Sequence, residues 1–418
     1  MSRSRSRKLL ILIYMVKWLG NTNRFFVLSI LLFGFSCQQS EQASNEPFEI
    51  ENPSMGYAGM SRLYATDDLL YMSWVEQADS LAVLKYATYD GNTWSDSQTI
   101  TSGSDWFVNW ADFPQIAVNK GNIFVHYLQK SAPDTYAYDI KYQVYNAVNK
   151  RWTPSQKLHT DSTQSEHGFV DVIAYKDGFM ASWLDGRTTV NRPDSLRQMT
   201  VRAGIINADG TLGKQWQLDE RVCDCCATSI ANTADGPMVV YRDRSVDEVR
   251  DMYGVRLQDT TWSTPKAVYN DNWQIAGCPV NGPAIASNGL TAVGWFTMVD
   301  DKPMVKLATK RAGSWFDEFS VLEASKAIGR VDVAVDANSN SFALYLTDEG
   351  STANLNLTQI KASGEEVRYV LSKMSPERAS GFPQLQLFQG ALMVSYTETD
   401  SIGSRIRTLQ FPYDSFSQ

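Results

Sequence analysis

One strand pattern recurs seven times along this chain, and no other feature narrows the possible folds as much. Each copy is an apolar run that reaches an aromatic residue and then, two places on, a polar or acidic one. The copies are residues 70–76 (LYMSWVE), 123–129 (IFVHYLQ), 179–185 (FMASWLD), 237–243 (PMVVYRD), 291–297 (TAVGWFT), 341–347 (SFALYLT) and 392–398 (LMVSYTE). They lie roughly 50 residues apart, the period of blades in a β-propeller.

Each copy sits in a longer unit. A shorter strand precedes it across a turn, as at 114–118, 170–174, 331–335 and 383–387, and a third strand follows, as at 84–88 and 141–145. The turns carry Gly, Asn or Asp, which accept the positive φ of tight hairpins. No segment beyond residue 37 reads as a helix of three turns. The expectation is an all-β propeller of seven blades, mostly of four antiparallel strands, with a six-bladed ring as the alternative. A propeller must close or expose raw strand edges. The seventh unit has only three evident strands, so residues 47–53 are expected to supply the fourth.

The first 37 residues stand apart. Arg3, Arg5, Arg7 and Lys8 precede two apolar stretches, 9–16 and 25–36, each too short to span a bilayer. The second reads as a signal-peptide core, with Met15 a possible start. Gly34-Phe35-Ser36-Cys37 resembles a bacterial lipoprotein cleavage site, with Gly34 where Leu usually stands. The resemblance implies lipidation of Cys37 and an extracytoplasmic place on a bacterial membrane; the polar run 38–46 reads as a flexible tether, and the repeat argues for a single domain over 47–418.

Six of the chain's 38 Lys and Arg fall in residues 1–37, leaving 32 against 46 acidic residues, a net charge of −14. Duplex nucleic acid, whose binding rests on phosphate neutralisation, is excluded as a partner.

In a propeller the starts of first strands and the ends of second strands meet at one rim. That geometry gathers Arg62, Asp112, His167, Cys225, Cys226, Cys278 and Arg330 with Glu76, Asp185, Arg187, Arg242, Asp243, Arg244, Asp348 and Glu398. Guanidinium forks among carboxylates suit an anionic or polyhydroxylated ligand. Each of these Arg or Asp residues can equally be a solvated loop charge. Tyr241-Arg242-Asp243-Arg244-Ser245 and Trp183-Leu184-Asp185-Gly186-Arg187 stand out because they repeat one arrangement in adjacent units.

Beyond Cys37, the cysteines are Cys223, Cys225, Cys226 and Cys278. All fall where units four and five begin. In an oxidising compartment they read first as disulfides, such as Cys225 or Cys226 to Cys278. Alternatively, Cys225, Cys226 and Cys278 with His167 could hold zinc or copper, or the thiols could be reactive. Residues 277–283 (GCPVNGP) form a rigid loop. His126 reads as an inner-strand residue and His159 as an exposed loop residue.

The repeat region, about Gly56 to Pro412, resembles the sialidase-like Asp-box propellers, with residues 88–94 (TYDGNTW) as a short Asp box. The resemblance implies an arginine clamp on a substrate carboxylate, an Asp acid/base and a Tyr nucleophile. Arg62 matches the first Arg of that clamp, although Ser61, Leu63 and Tyr64 around it depart from the family's pattern. Three functions stay open. The first is a protein binding a glycan or another anionic ligand through Arg62, Arg187, Arg242, Arg244 and Arg330, with no cofactor required. The second is a sialidase-like glycoside hydrolase with Asp185 or Asp243 as acid/base. The third is a metal or redox protein centred on the cysteines.

Overall fold

The computed structural model describes residues 47–412. The signal segment, Cys37 and the polar tether lie outside the described residues. Seven antiparallel sheets, one per repeat, form a seven-bladed propeller. The six-bladed alternative is thereby excluded. The helical content among the described residues is two single 3-10 turns, Asp194–Leu196 and Arg378–Ser380.

Blade three shows the plan: His167–Tyr175, Gly178–Asp185, Met199–Ile206 and Leu212–Val222 pair in sequence order from the channel outward. Hairpins join them because the turns accept left-handed backbone. In blade two, for instance, Lys120 and Gly121 have φ of 51° and 78° between Ile116–Asn119 and Asn122–Lys130.

The recurrent aromatic of each second strand is the buried centre of its blade. Trp74, Tyr127, Trp183, Tyr241, Trp295, Tyr345 and Tyr396 are all buried. Each polar tip finds a partner. Trp74 donates to Glu76, Trp183 to Asp185 and Trp295 to Asp271. Tyr241 donates to Asp219, while Tyr127 pairs with Ser155, Tyr345 with Thr358 and Tyr396 with Ser372. Such satisfaction is what permits burial of an indole or phenol.

The ring closes as the repeat requires. Phe48–Ile50 pairs antiparallel with Ser404–Pro412, completing blade seven with a strand from the other end of the chain. Arg407 pairs with both Glu49 and Glu398, and Asn52 donates to Thr408 across the same seam.

Blocking that seam tests its weight. Ile50→Pro removes a backbone N–H within the three-residue closure and is expected to cost about 1–3 kcal/mol. Thermal unfolding followed by circular dichroism should show a lower Tm with an unchanged native spectrum.

Candidate functional site

A cavity of about 510 Å³ runs along the propeller axis, lined by Arg62, Asp171, Ser229, Asp332, Phe382 and Gln384 among others. Three of the charged residues arrive there by one device. In blades one, three and six the first strand breaks register after a glycine: between Gly59 and Arg62, Gly168 and Asp171, and Gly329 and Asp332. The residue after each glycine is left-handed, Met60 at φ 57°, Phe169 at 55° and Arg330 at 54°. A bulge of this kind re-aims the side chains that follow it. Here it places Arg62, Asp171 and Asp332 around one axis.

Arg62 donates to Asp171 across the channel at 3.2 Å and to Gln384 of blade seven at 2.7 Å. Its Nε is buried with no protein partner. Asp171 also accepts from Ser229 and from the backbone of Val172 and Ile230. Burial pushes the Asp332 carboxyl up to about 6, despite Arg62 and the amides of Leu385 and Val333.

A second acidic group adjoins the cavity through Asp112. The Tyr138 hydroxyl is 3.1 Å from Asp112 Oδ2 and 2.8 Å from Glu166 Oε1. One phenolic proton cannot serve two carboxylates, so the arrangement favours a shared additional proton. Burial pushes Asp112 up to about 7, opposed by bonds from Phe169 and Tyr138. Burial, with Asp112 nearby, pushes Glu166 to about 8. Carboxyls poised near neutrality are what general acid/base chemistry needs.

Several residues expected to offer free charge are otherwise engaged. Arg187 grips Asp185 with two bonds of 2.6 and 2.7 Å, while Trp183 donates to the same carboxylate. Burial opposes ionisation of Asp185, but Arg187 and His167 outweigh it and hold the carboxyl at about 2. An acid/base role needs a proton that Asp185 does not keep. Arg242 is fully buried, bonded to the carbonyls of Asn281, Arg250 and Phe296, and its guanidinium lies over the Trp273 ring. Arg330 sits at the left-handed bulge position, so it points into blade seven's entry loop. There it binds Pro376, Glu377, Ser380 and Gly381 and covers Trp110. Arg244 binds Glu248 and Asp224. Of the five arginines, Arg62 is the one the cavity exposes. Asp243 differs from Asp185: burial, with Asp219 nearby, raises it to about 7.

His167 does not join the thiols. Its Nδ1 faces the carbonyls of Ser165 and Tyr138, and its Nε2 lies 3.1 Å from Asp161 and 3.7 Å from Asp185. His159, expected as an exposed loop residue, is buried and stacked on His167 with ring centroids 3.8 Å apart. The short strand Gln156–Lys157, paired to blade two, leads His159 in toward Asp139. His126 is an inner-strand residue as expected, accepting the Gln115 amide through Nδ1.

The four cysteines gather in one place as unbonded sulfurs. Asp171, Asp332, Tyr138, Glu166 and Gln384 escaped the sequence reading. A signal was present for two of them, in the shared spacing of Gly168 to Asp171 and Gly329 to Asp332.

No family model matches the chain, and no curated protein matches it. Solved structures do. An ulvan lyase, a polysaccharide lyase bound to -[GlcA(1-4)Rha3S]-, is similar at TM-score 0.53 and 11% identity, covering 88% of this chain and 96% of that one. An α-L-arabinofuranosidase from Fusarium graminearum, in complex with an iminosugar inhibitor, is similar at TM-score 0.50 and 12% identity, over 89% and 99% of the two chains. A protein of unknown function from Dyadobacter fermentans matches at TM-score 0.50 and 12% identity, over 87% and 97%. The likeness is one of fold.

Two outcomes follow from this geometry. Arg242→Ala strands three buried carbonyls and is expected to destabilise by about 3 kcal/mol or more, read as a lower denaturation midpoint. The raised carboxyls of Asp112 and Glu166 favour folding below their unfolded pKa values near 4, and that contribution is lost as pH rises through 7 to 8. Glu166→Gln should therefore gain Tm relative to the wild type between pH 5 and 9; a constant difference would contradict this.

Proposed function

We propose that this chain is a membrane-anchored extracytoplasmic propeller that binds a glycan, or another anionic ligand of that class, at the mouth of its axial channel. The observation that carries the reading is Arg62, held by Asp171 and Gln384 at the cavity with its Nε unpartnered. A guanidinium fixed in this way presents a directional donor to a carboxylate, sulfate or sugar hydroxyl. Phe382, which lines the cavity and is backed by Trp110 with ring centroids 5.7 Å apart, offers a surface for the apolar face of a sugar ring. The ligand named for the ulvan lyase contains a uronate, and the arabinofuranosidase also acts on carbohydrate, which agrees with this class. Lipidation at Cys37 would hold the domain at the membrane, and Cys37→Ala should move it to the soluble fraction.

A second reading, a carbohydrate-cleaving enzyme, is favoured by the contacts of Tyr138 with Asp112 and Glu166, whose carboxyls are raised to about 7 and 8. Asp243 is a further candidate acid. The three-arginine clamp of sialidases is not part of either reading, because Arg242 and Arg330 are committed to backbone carbonyls.

Calorimetry against uronate-bearing and neutral polysaccharides tests both. Arg62→Ala is expected to weaken binding of the preferred saccharide at least tenfold, about 1.4 kcal/mol; equal binding would overturn the channel-mouth site. New reducing ends or unsaturated products that disappear in Glu166→Gln would establish the enzyme. Binding without either product would leave the chain a binder.

A further inference from the structure

The cysteines play no part in the channel reading, yet they are the most organised polar group outside it. Cys223 follows the last strand of blade three, Leu212–Val222. Cys225 and Cys226 lie in the crossover to blade four's first strand, Ser229–Thr233, and Cys278 lies in the next crossover, before Ala284–Asn288. The sulfurs of Cys223, Cys225 and Cys226 all lie within 4.8 Å of one another. Cys223 is 2.8 Å from Cys226 and 3.9 Å from Cys225. Cys278 approaches Cys225 from the next crossover but stands outside this group of three. Cys223 and Cys226 are buried, Cys225 is half-buried and Cys278 is exposed. The cluster thus has a closed floor and an open side.

A cation faces the floor. Arg250 donates through Nη1 to Cys223 Sγ at 3.3 Å, and its Nη2 is fixed by Glu248 at 2.8 Å. Arg244 holds the same carboxylate and also Asp224. The chain of contacts from Asp224 to Arg250 orients one buried guanidinium at one sulfur. A disulfide sulfur is a weak, uncharged acceptor and offers such a cation little. A thiolate, or a metal–thiolate complex of net negative charge, offers a full counter-charge.

The two crossovers are also locked together. Gly282 packs so closely on Ala227 that a Cβ would lie 2.2 Å from its carbonyl oxygen. Cys223 N donates to Arg242 O, whose own side chain is pinned to Asn281 and Phe296. Thiols held on rigid backbone are pre-organised for a ligand.

We propose that Cys223, Cys225, Cys226 and Cys278 form a binding site for one soft metal ion of the Cu(I) or Zn(II) class, with Arg250 balancing its charge. Sulfurs tetrahedral around an ion at about 2.3 Å lie about 3.8 Å apart, the separation already present between Cys223 and Cys225. Loading would open the Cys223–Cys226 approach toward the same value. Cys278, the exposed member, is the ligand at which the ion enters. His167 is not part of the set, being held by Asp161 and Asp185.

The purified protein, reduced and kept anaerobic, is titrated with Cu(I) against bicinchoninate and with Zn(II) against a chromophoric chelator. One equivalent of one ion is expected to bind and to protect the thiols from alkylation. X-ray absorption should show a sulfur-only shell near about 2.3 Å for zinc, or a shorter, three-sulfur shell for copper. Cys225→Ser and Cys278→Ser, on the accessible side, should each weaken binding at least tenfold with the apo Tm unchanged. Arg250→Gln should weaken it too, and Arg62→Ala should not. Binding no tighter than in the Cys225→Ser, Cys278→Ser double variant would overturn the proposal. Recovery of the native protein with both cysteine pairs oxidised and resistant to reduction while folded would also overturn it.

Discussion

The structure depends on one repeated interaction: a large aromatic buried at the centre of each blade with its polar tip satisfied. An indole or phenol supplies the area that holds neighbouring sheets together, but only if its N–H or O–H is not stranded. That requirement explains the polar or acidic residue two places after the aromatic. In blades one and three it is the acceptor itself, as Glu76 receives Trp74 and Asp185 receives Trp183. Elsewhere the partner can come from the preceding blade, as Asp219 does for Tyr241 and Asp271 for Trp295. The carboxylates these contacts occupy have fixed structural work, which bears on the functional reading of Asp185.

A second set of contacts acts between blades. Asp112 receives the amide of Phe169, Asp171 that of Ile230, and Asp332 that of Leu385. Asn281 does the same for Arg330. Each ties one innermost strand to the next around the channel, so the residues that line the cavity also secure the ring. The carboxylates at the axis are therefore held in place by backbone amides, a property useful for recognition.

The blades, the order of their strands and the closing strand were legible in the sequence, because period-two alternation and the aromatic repeat are local signals. The site was legible only in part. Arg62 was found because it begins a first strand, and Arg330 was grouped with it for the same reason. The two are not equivalent: the bulge puts Arg330 at the left-handed residue and Arg62 two places beyond it. Side-chain direction there is set by a register shift that composition does not reveal. Arg242 was misread as a rim charge because its three carbonyl partners come from segments up to 54 residues away. The clustering of the cysteines was legible, since adjacent blades must meet. Their separation from His167 was not, because it turns on which way one imidazole faces.

The closing strand has a mechanical meaning. Whatever tension reaches the domain from upstream of residue 47 is delivered first to Phe48–Ile50, three residues paired to one neighbour. Every other blade is loaded through a continuous chain of hairpins, so the seam is the point of least resistance. A pull from that side would peel blade seven open and uncover its edge before disturbing the aromatic centres of the other six. The Arg407 pair with Glu49 and the Asn52 bond to Thr408 stand at this seam as its reinforcement. The propeller therefore has a preferred direction of failure, and it coincides with the end of the chain that leads to Cys37.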